Sequence, residues 1–414
     1  MAEQANAPQK ASQPRDAPPP RPKKIFGVMT KRRWFGVIVF LSAMLWSYTA
    51  GPPLADTIVC NRYFVDGMFY DPQTVRFEGN ISLIDKLFKR GFWPDVFIWQ
   101  IGSYFGFTEG PVWSDKYSQL LFTDLMQNHL FSWSPINGVQ IELENAGQAD
   151  DAQLAQLKLP GANGMLQHPS NPDLVFMAQH AQRRIVLYNL HTKQIEKTIA
   201  DQYKGQKLNS PNDMALGPKR EYLYFTDPPY GLVDRFDAND PNFLYADKKS
   251  QLGFNGIYRV KIDGASKVEL LDKSMRRPNG IVFSSDYSRL FVSDSISGEF
   301  RLNVFDFDAK SGAIKLNEVW DEARILRHND KLESKVSSLK GGVGSVDGMT
   351  LIDDTYLMTT CPGGKLCVIR QKSGDLEALI KLPDKVHLSN VAVGGDANLY
   401  VTGNHTVWQI KLQS

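Results

Sequence analysis

A hairpin that recurs six times constrains this chain more than any other feature. Its copies are Gln119–Ser134, Leu174–Asn189, Leu223–Gly231 with Gly256–Val260, Leu290–Phe307, Tyr356–Ile369 and Leu399–Ile410. Each opens on alternating large apolar residues, passes a polar or glycine turn, and returns on a second alternating run. A period of two bounded by turn residues marks paired strands. Ahead of each hairpin lies a second shared element: one oxygen-bearing residue, usually followed by glycine, then a short apolar run. These elements start at Glu109, Asn163, Asn212, Asn279, Asp347 and Asn390, spaced 54, 49, 67, 68 and 43 residues apart. Units of several strands repeating every 40–50 residues or so read as propeller blades. The expected fold is all-β, a six-bladed β-propeller over residues 107–414. The two longest spacings hold insertions, Asp234–Gly253 and Asp321–Gly344, expected as surface loops that shape a mouth.

A propeller must close its ring, because an open edge strand invites pairing with other chains. Asp56–Phe77 holds strand-like stretches, and one of them is expected to complete the last blade beside Val407–Leu412. Ser82–Phe105 reads differently. Leu83, Ile84, Leu87 and Phe88 fall at helical spacing, and Phe92, Trp93, Phe97, Ile98, Trp99, Tyr104 and Phe105 follow. A helix and loop packed on a propeller face is expected there, with an aromatic patch resting on a membrane as the alternative.

The first 33 residues carry eight basic and two acidic residues, a charge of +6, and six prolines. Such a basic tail builds no core and reads as disordered. The whole chain carries only +2, so the remainder is 2 − 6 = −4 and no nucleic-acid footprint shows. Trp34–Ala50 has no charged residue and sits near the lower length limit for a membrane-spanning helix. Lys31-Arg32-Arg33 places the tail on the cytoplasmic side. A retained signal-anchor over 34–50 is expected in preference to a cleaved signal peptide. A linker over 51–106 would then lead to a propeller on the extracytoplasmic side, in a periplasm or lumen.

In a propeller the first strand of each blade lines the axis, so the shared element aims one residue per blade at the centre. All six carry a side-chain oxygen and none is cationic. Carboxylates and amides gathered without lysine or arginine are poorly satisfied unless a cation joins them. Hard divalent cations take such oxygens, and calcium accepts six to eight flexibly. The ring has no histidine or cysteine, which argues against zinc. Asn-Gly and Asp-Gly are also ordinary turn dipeptides. Six matches at equivalent positions, the first of them a glutamate, favour the metal reading.

Five motifs carry a family resemblance. They are Phe107-Thr-Glu-Gly-Pro-Val-Trp, Leu208-Asn-Ser-Pro-Asn-Asp, Phe225-Thr-Asp-Pro-Pro-Tyr-Gly, Arg277-Pro-Asn-Gly-Ile-Val-Phe-Ser and Val346-Asp-Gly-Met. In order and spacing they resemble the gluconolactonase and senescence-marker-protein (regucalcin) family, its bacterial gluconolactonases above all, from Phe107 to Leu412. The resemblance implies a calcium-dependent lactonase. It places metal ligands on Glu109, Asn279 and Asp347, with Asn212 on the metal or on a bound water or substrate. It makes Asp347 the general base and sets Asn163 and Asp213 near the substrate. A metal-bound aspartate is a weak base, so a metal-bound hydroxide and direct attack by the carboxylate stay alternatives. The basic tail and anchor depart from the family's usual soluble members.

The remaining candidates are plainer. Asp124, Asp227 and Asp294 recur after Phe-Thr, Phe-Thr and Val-Ser, and read as strand-end residues of the repeat. Asp227, with Tyr230, is also a candidate to touch substrate because its motif is the most distinctive. His180 is placed where it can reach the mouth, but both His168 and His180 are expected as satisfied surface or core residues. Cys361 and Cys367 flank a Pro-Gly-Gly turn and can face each other across a hairpin, with two buried thiols as the preferred reading. No Gly-x-Ser-x-Gly elbow occurs, so a serine hydrolase has no support. An organophosphate or phosphoester hydrolase on the same site, and a non-catalytic metal-stabilised binding propeller, are the competing functions. No protein partner is inferable.

Overall fold

Successive side chains of a strand point to opposite faces, so a strand that is apolar throughout must be covered on both. That is the pattern here. In Gln119–Asp124, Leu120 and Phe122 join one apolar cluster and Leu121 joins another. In Tyr222–Asp227, Leu223 and Phe225 pack one way and Tyr224 the other. Blades stacked side by side around an axis provide this double cover.

The computed structural model describes residues 76–79, 97–235, 244–327, 339, 344–382, 387–395 and 398–411. All lie in one of the chain's two units, Ile58–Ser414. The basic tail, the apolar segment 34–50 and most of the linker lie outside the described residues. Among the described residues no helix is long and apolar enough to cross a membrane.

Six antiparallel sheets of four or five strands follow one another along the described residues, with a two-stranded ribbon, Gln202–Tyr203 with Gln206–Lys207, between the second and third. Their first, axial strands are Thr108–Ser114, Ala162–Gln167, Met214–Leu216, Pro278–Phe283, Met349–Leu351 and Leu388–Val393. Each axial strand pairs with the next strand of its own blade and touches the axial strands beside it. Six large apolar clusters fill the six interfaces between neighbouring blades. The six-bladed propeller expected from the repeat is the observed fold.

Closure differs from the expectation. The outermost strand of the sixth blade is Phe97–Ser103, which runs antiparallel to Thr406–Lys411. Asp56–Phe77 does not supply it. Only the end of that stretch is described, and there Arg76–Gly79 lies along Leu376–Lys381 as a fifth strand on the fifth blade. The physical reason lies in the side chains. A register shift between Gln100 and Gly102 turns Ile98 into the interface with the fifth blade and Ile101 into that with the first. The strand therefore closes the ring apolar on both sides. Phe105 follows and packs edge-on against Phe122 and Phe131, at 5.2 Å from each. The part of Ser82–Phe105 expected as loop is thus a strand from Phe97, and its helical part lies outside the described residues.

Each insertion carries a short helix in its described part, Leu244–Lys249 in the first and Glu322–Leu326 in the second. Cys361 and Cys367 form a disulfide across the hairpin of the fifth blade, with Cα atoms 6.1 Å apart. This corrects the reading as free thiols. The strand register sets Cys361 opposite Lys365, which makes the two cysteines diagonal neighbours within reach.

Candidate functional site

The axial strands do not run evenly through the ring positions. Pairing slips between Glu109 and Val112, between Ala162 and Met165, between Pro278 and Ile281, and between Leu388 and Asn390. Such bulges re-aim side chains. Here they fall beside the oxygen-bearing residue: Asn163 and Asn279 drop out of the pairing, while Glu109 and Asn390 border the slip.

Glycine follows because neighbouring blades meet closely at the axis. A Cβ on Gly164 would lie 2.3 Å from the Asn212 carbonyl oxygen, and one on Gly280 would lie 2.2 Å from that of Asp347. The Asn-Gly and Asp-Gly pairs are therefore close-approach sites within the ring.

The second strands of the first, third and fourth blades fasten this arrangement. The hydroxyls of Thr123, Thr226 and Ser293 donate to the carbonyls of Asn163, Asn279 and Asp347 in the next blade, at 3.0, 2.7 and 2.8 Å. The aspartate after each hydroxyl holds its own blade's entry loop. Asp124 accepts from the Gly106 and Phe107 amides, Asp227 from Asn209 and Ser210, and Asp294 from Arg277. Both oxygens of Asp227 are used this way, so its observed role is to fix the loop that leads to Asn212.

The structure brings Glu109, Asp213, Asn279, Asp347 and Asn390 into one interacting group. Asn390 Nδ2 donates to Glu109 Oε2 at 3.1 Å, and the Gly110 amide donates to the same oxygen at 2.7 Å. Asp213 accepts from the Met214 amide at 2.8 Å. Asn279 lies near enough to Asp347 to favour its charged form. All five side chains are buried, as are Asn163 and Asn212. Asp347 Oδ1 and Asn163 Oδ1 are buried without a hydrogen-bond partner.

Three buried carboxyls near one another resist ionising together. Burial pushes Glu109 well above the usual carboxylate range, and the charges of Asp347 and Asp213 push it further. Burial raises Asp213 to about 7, with Asp347 adding to the shift. Asp347 is raised by burial, against the opposing pull of His387 and Asn279.

His387 is a residue that the sequence pattern did not reveal. Its Nε2 lies 3.5 Å from Asp347 Oδ2, and its ring meets Phe107 edge-on at 5.6 Å. It stands three residues before Asn390, on the entry to the sixth axial strand, where the repeat has no fixed residue type. His180 is fully buried and reaches the ring itself, with Nε2 3.1 Å from Asn163 Nδ2. Its reading as a satisfied core histidine holds for burial and misses this contact. His168 lies away from it, stacked at a tilt on Phe176.

The described ends of the next connection, Pro228–Arg235 and Leu244–Asn255, approach this group through Tyr230. The short helix of that connection is fastened by Asp247, which pairs with Arg277 at 2.8 Å and accepts from Asn255. Ala246 packs on Leu232 and Val233 beside Tyr230. Below the ring an open shaft of about 550 Å³ runs between the axial strands, with Asp213 and Asn390 among its lining residues.

Comparison with known proteins agrees with this geometry. The profile of the SMP-30/Gluconolactonase/LRE-like region matches residues 107–405. A gluconolactonase of Zymomonas mobilis is 30% identical over 315 residues, which span 76% of this chain and 81% of that protein. Among solved structures, a gluconolactonase of Xanthomonas campestris superposes with a TM-score of 0.62 at 21% identity, covering 86% of this chain and 99% of that one. A calcium-binding regucalcin of Agrobacterium tumefaciens gives 0.52 at 16% identity, covering 76% and 92%. At those identities the two structures bear on the fold alone. With its propeller, its axial motifs and a profile match over most of its length, the chain belongs to the SMP-30/gluconolactonase/LRE-like family.

Proposed function

We propose that the chain hydrolyses a lactone at the axial ring, with a divalent cation, calcium by preference, held by Glu109, Asn279 and Asp347 with Asn212 beside them. The observation that carries the reading is three buried carboxyls converging with amides at the axis of a propeller of this family. The residues fit such a cation. Every ring donor is an oxygen, Asp347 Oδ1 has no partner, and ionising the carboxyls together calls for positive charge. When bound, the cation supplies Lewis-acid polarisation of the substrate carbonyl.

The chain's own residues do the rest. Asn163 and Asp213 orient the substrate from the ring's edge. Asp347 takes a proton from water as the water oxygen bonds to the lactone carbonyl carbon. The ester bond then breaks, and its ring oxygen leaves with the proton that Asp347 returns, giving the hydroxy acid and the free carboxylate. His387 beside Asp347 favours the carboxylate form that can accept the proton.

The test is acid release from glucono-δ-lactone by the full chain, corrected for spontaneous opening, with calcium and after chelation. Glu109→Gln and Asp347→Asn are expected to stay folded and lose roughly a hundredfold or more in kcat. Turnover that survives chelation would remove the cation, and an undiminished Asp347→Asn would remove the assigned base.

The reading extends to location. The Cys361–Cys367 disulfide supports maturation in an oxidising compartment. Together with the basic residues 1–33 and the apolar segment 34–50 ahead of it, it supports a propeller on the extracytoplasmic side of a membrane.

A further inference from the structure

In three blades the aspartate that ends the second strand ties its own entry loop. The tied amides lie two or three residues before the ring residue: Gly106 and Phe107 ahead of Glu109, Asn209 and Ser210 ahead of Asn212, and Arg277 ahead of Asn279. The fifth blade departs from this rule. Its first two strands have the register of the third blade, since Met349 pairs with Thr359 as Met214 pairs with Phe225. Two residues further on, the third blade has Asp227 and the fifth has Cys361. The blade that carries Asp347 therefore has sulfur where three others have a carboxylate.

That sulfur belongs to the disulfide with Cys367, and both cysteines are buried. Sulfur accepts hydrogen bonds weakly, so it cannot tie loop amides as a carboxylate does. The crosslink reaches Asp347 by another route. Thr360, the residue before Cys361, accepts the Asp347 amide on its hydroxyl at 2.9 Å and gives its own amide to the Gly348 carbonyl at 3.2 Å. The Thr359 hydroxyl donates to the same carbonyl at 3.1 Å. Both cysteines also belong to the apolar cluster that contains Val346, the residue before Asp347. With no carboxylate at position 361, the place of Asp347 depends on Thr359 and Thr360 keeping theirs. Cys361 and Lys365 are the last pair before the Pro-Gly-Gly turn, where a ladder opens first. The disulfide closes that end.

We propose that the Cys361–Cys367 disulfide is a positioning element for Asp347, standing in the fifth blade for the aspartate that ties the entry loop in the first, third and fourth. It keeps the hairpin end shut, so that Thr360 holds the Asp347 amide and the carboxylate keeps one place at the axis. The inference rests on the reading of Asp347 as the base.

The experiment compares the full-length wild type with two variants that both lack the crosslink. Cys361→Ala with Cys367→Ala leaves the loop without either tie. Cys361→Asp with Cys367→Ala puts back the carboxylate of the other blades. Lactone kinetics are measured at saturating calcium, and hydrogen exchange of residues 344–348 is followed by mass spectrometry on chelated protein. The double alanine variant is expected to lose about tenfold in kcat with KM nearly unchanged, as a misplaced catalytic group does. Its exchange should quicken at 344–348 and in the hairpin, and not in the other blades. The aspartate variant should recover most of both without a disulfide. Wild type reduced to completion with dithiothreitol, which leaves two thiols and closes into its own cyclic disulfide, should repeat the alanine result with no substitution. Undiminished kcat or unchanged exchange in the double alanine variant overturns the proposal, whether or not the aspartate variant folds. Exchange that quickens in all six blades, or equal losses in two folded variants, makes the bond a general stabiliser and overturns it too. If the wild type opens no lactone, the functional reading falls, and exchange at 344–348 alone then decides whether the bond holds the loop.

Discussion

At the scale of single residues, burial decides protonation and protonation decides direction. His180 is fully buried, which lowers its pKa to about 4. It is therefore neutral in the folded protein, and the Asn163 amide can donate to its Nε2. Asn163 Oδ1 is then the end left for the ring. The same burial has a cost in acid. Between pH 6.5 and about 4 the unfolded chain takes up a proton here that the folded chain refuses. Stability is complete above the unfolded value and falls as pH drops through that window, by roughly 3 kcal/mol in all. His180→Gln keeps an acceptor and cannot titrate. Urea midpoints measured from pH 7 to 4.5 are expected to fall less steeply in that variant, and superimposable curves would remove His180 as the cause. Glu109, Asn279, Asp347 and Asn390 were legible in the sequence because the repeat marks them, and Asp213, one residue past the marked Asn212, joins them. His387 and the amide directions were not, because they depend on contacts between residues far apart in the chain.

At the scale of elements, the repeat divides labour within one short motif. Thr-Asp or Ser-Asp at the end of a second strand has the hydroxyl hold the next blade's ring carbonyl and the carboxylate hold its own blade's entry loop. The recurrence identified these aspartates as repeat residues, which the structure supports. Their partners could not be read, since one belongs to a different blade. Closure was misplaced for a similar reason. Several stretches before residue 106 have strand-like alternation, and pairing with Thr406–Lys411 selects the one that is apolar toward both the fifth and the first blade. A chain beginning at Tyr104 is therefore expected to leave Thr406–Lys411 as an open apolar edge and to aggregate. A chain beginning at Ile58 keeps the closing strand and should melt cooperatively. Circular dichroism melts and light scattering on the two check this, and a soluble, cooperative shorter chain would show that Phe97–Ser103 is dispensable.

At the scale of the whole molecule, six apolar interfaces hold the blades while the polar residues gather at the axis. Stability and site are thus built from different residues, so ring variants such as Glu109→Gln can be expected to fold. The fifth blade is held further by its disulfide, which tells against long residence in a reducing compartment. If the propeller matures outside the cytoplasm, Cys361 and Cys367 in protein from intact cells should resist alkylation after unfolding and react only once reduced. Free thiols at both positions before reduction would return the propeller to the cytoplasm.

Taken alone, the sequence determined the blade count, the blade order and the six axial residues, because each is written once per repeat and alternation needs no partner to be recognised. It also carried the motifs that mark the family. The tertiary structure decided which strand closes the ring, that two cysteines join, and that His387, His180 and Tyr230 stand beside the axis. These depend on residues brought together from different blades, and a period along the chain carries no information about neighbours across it.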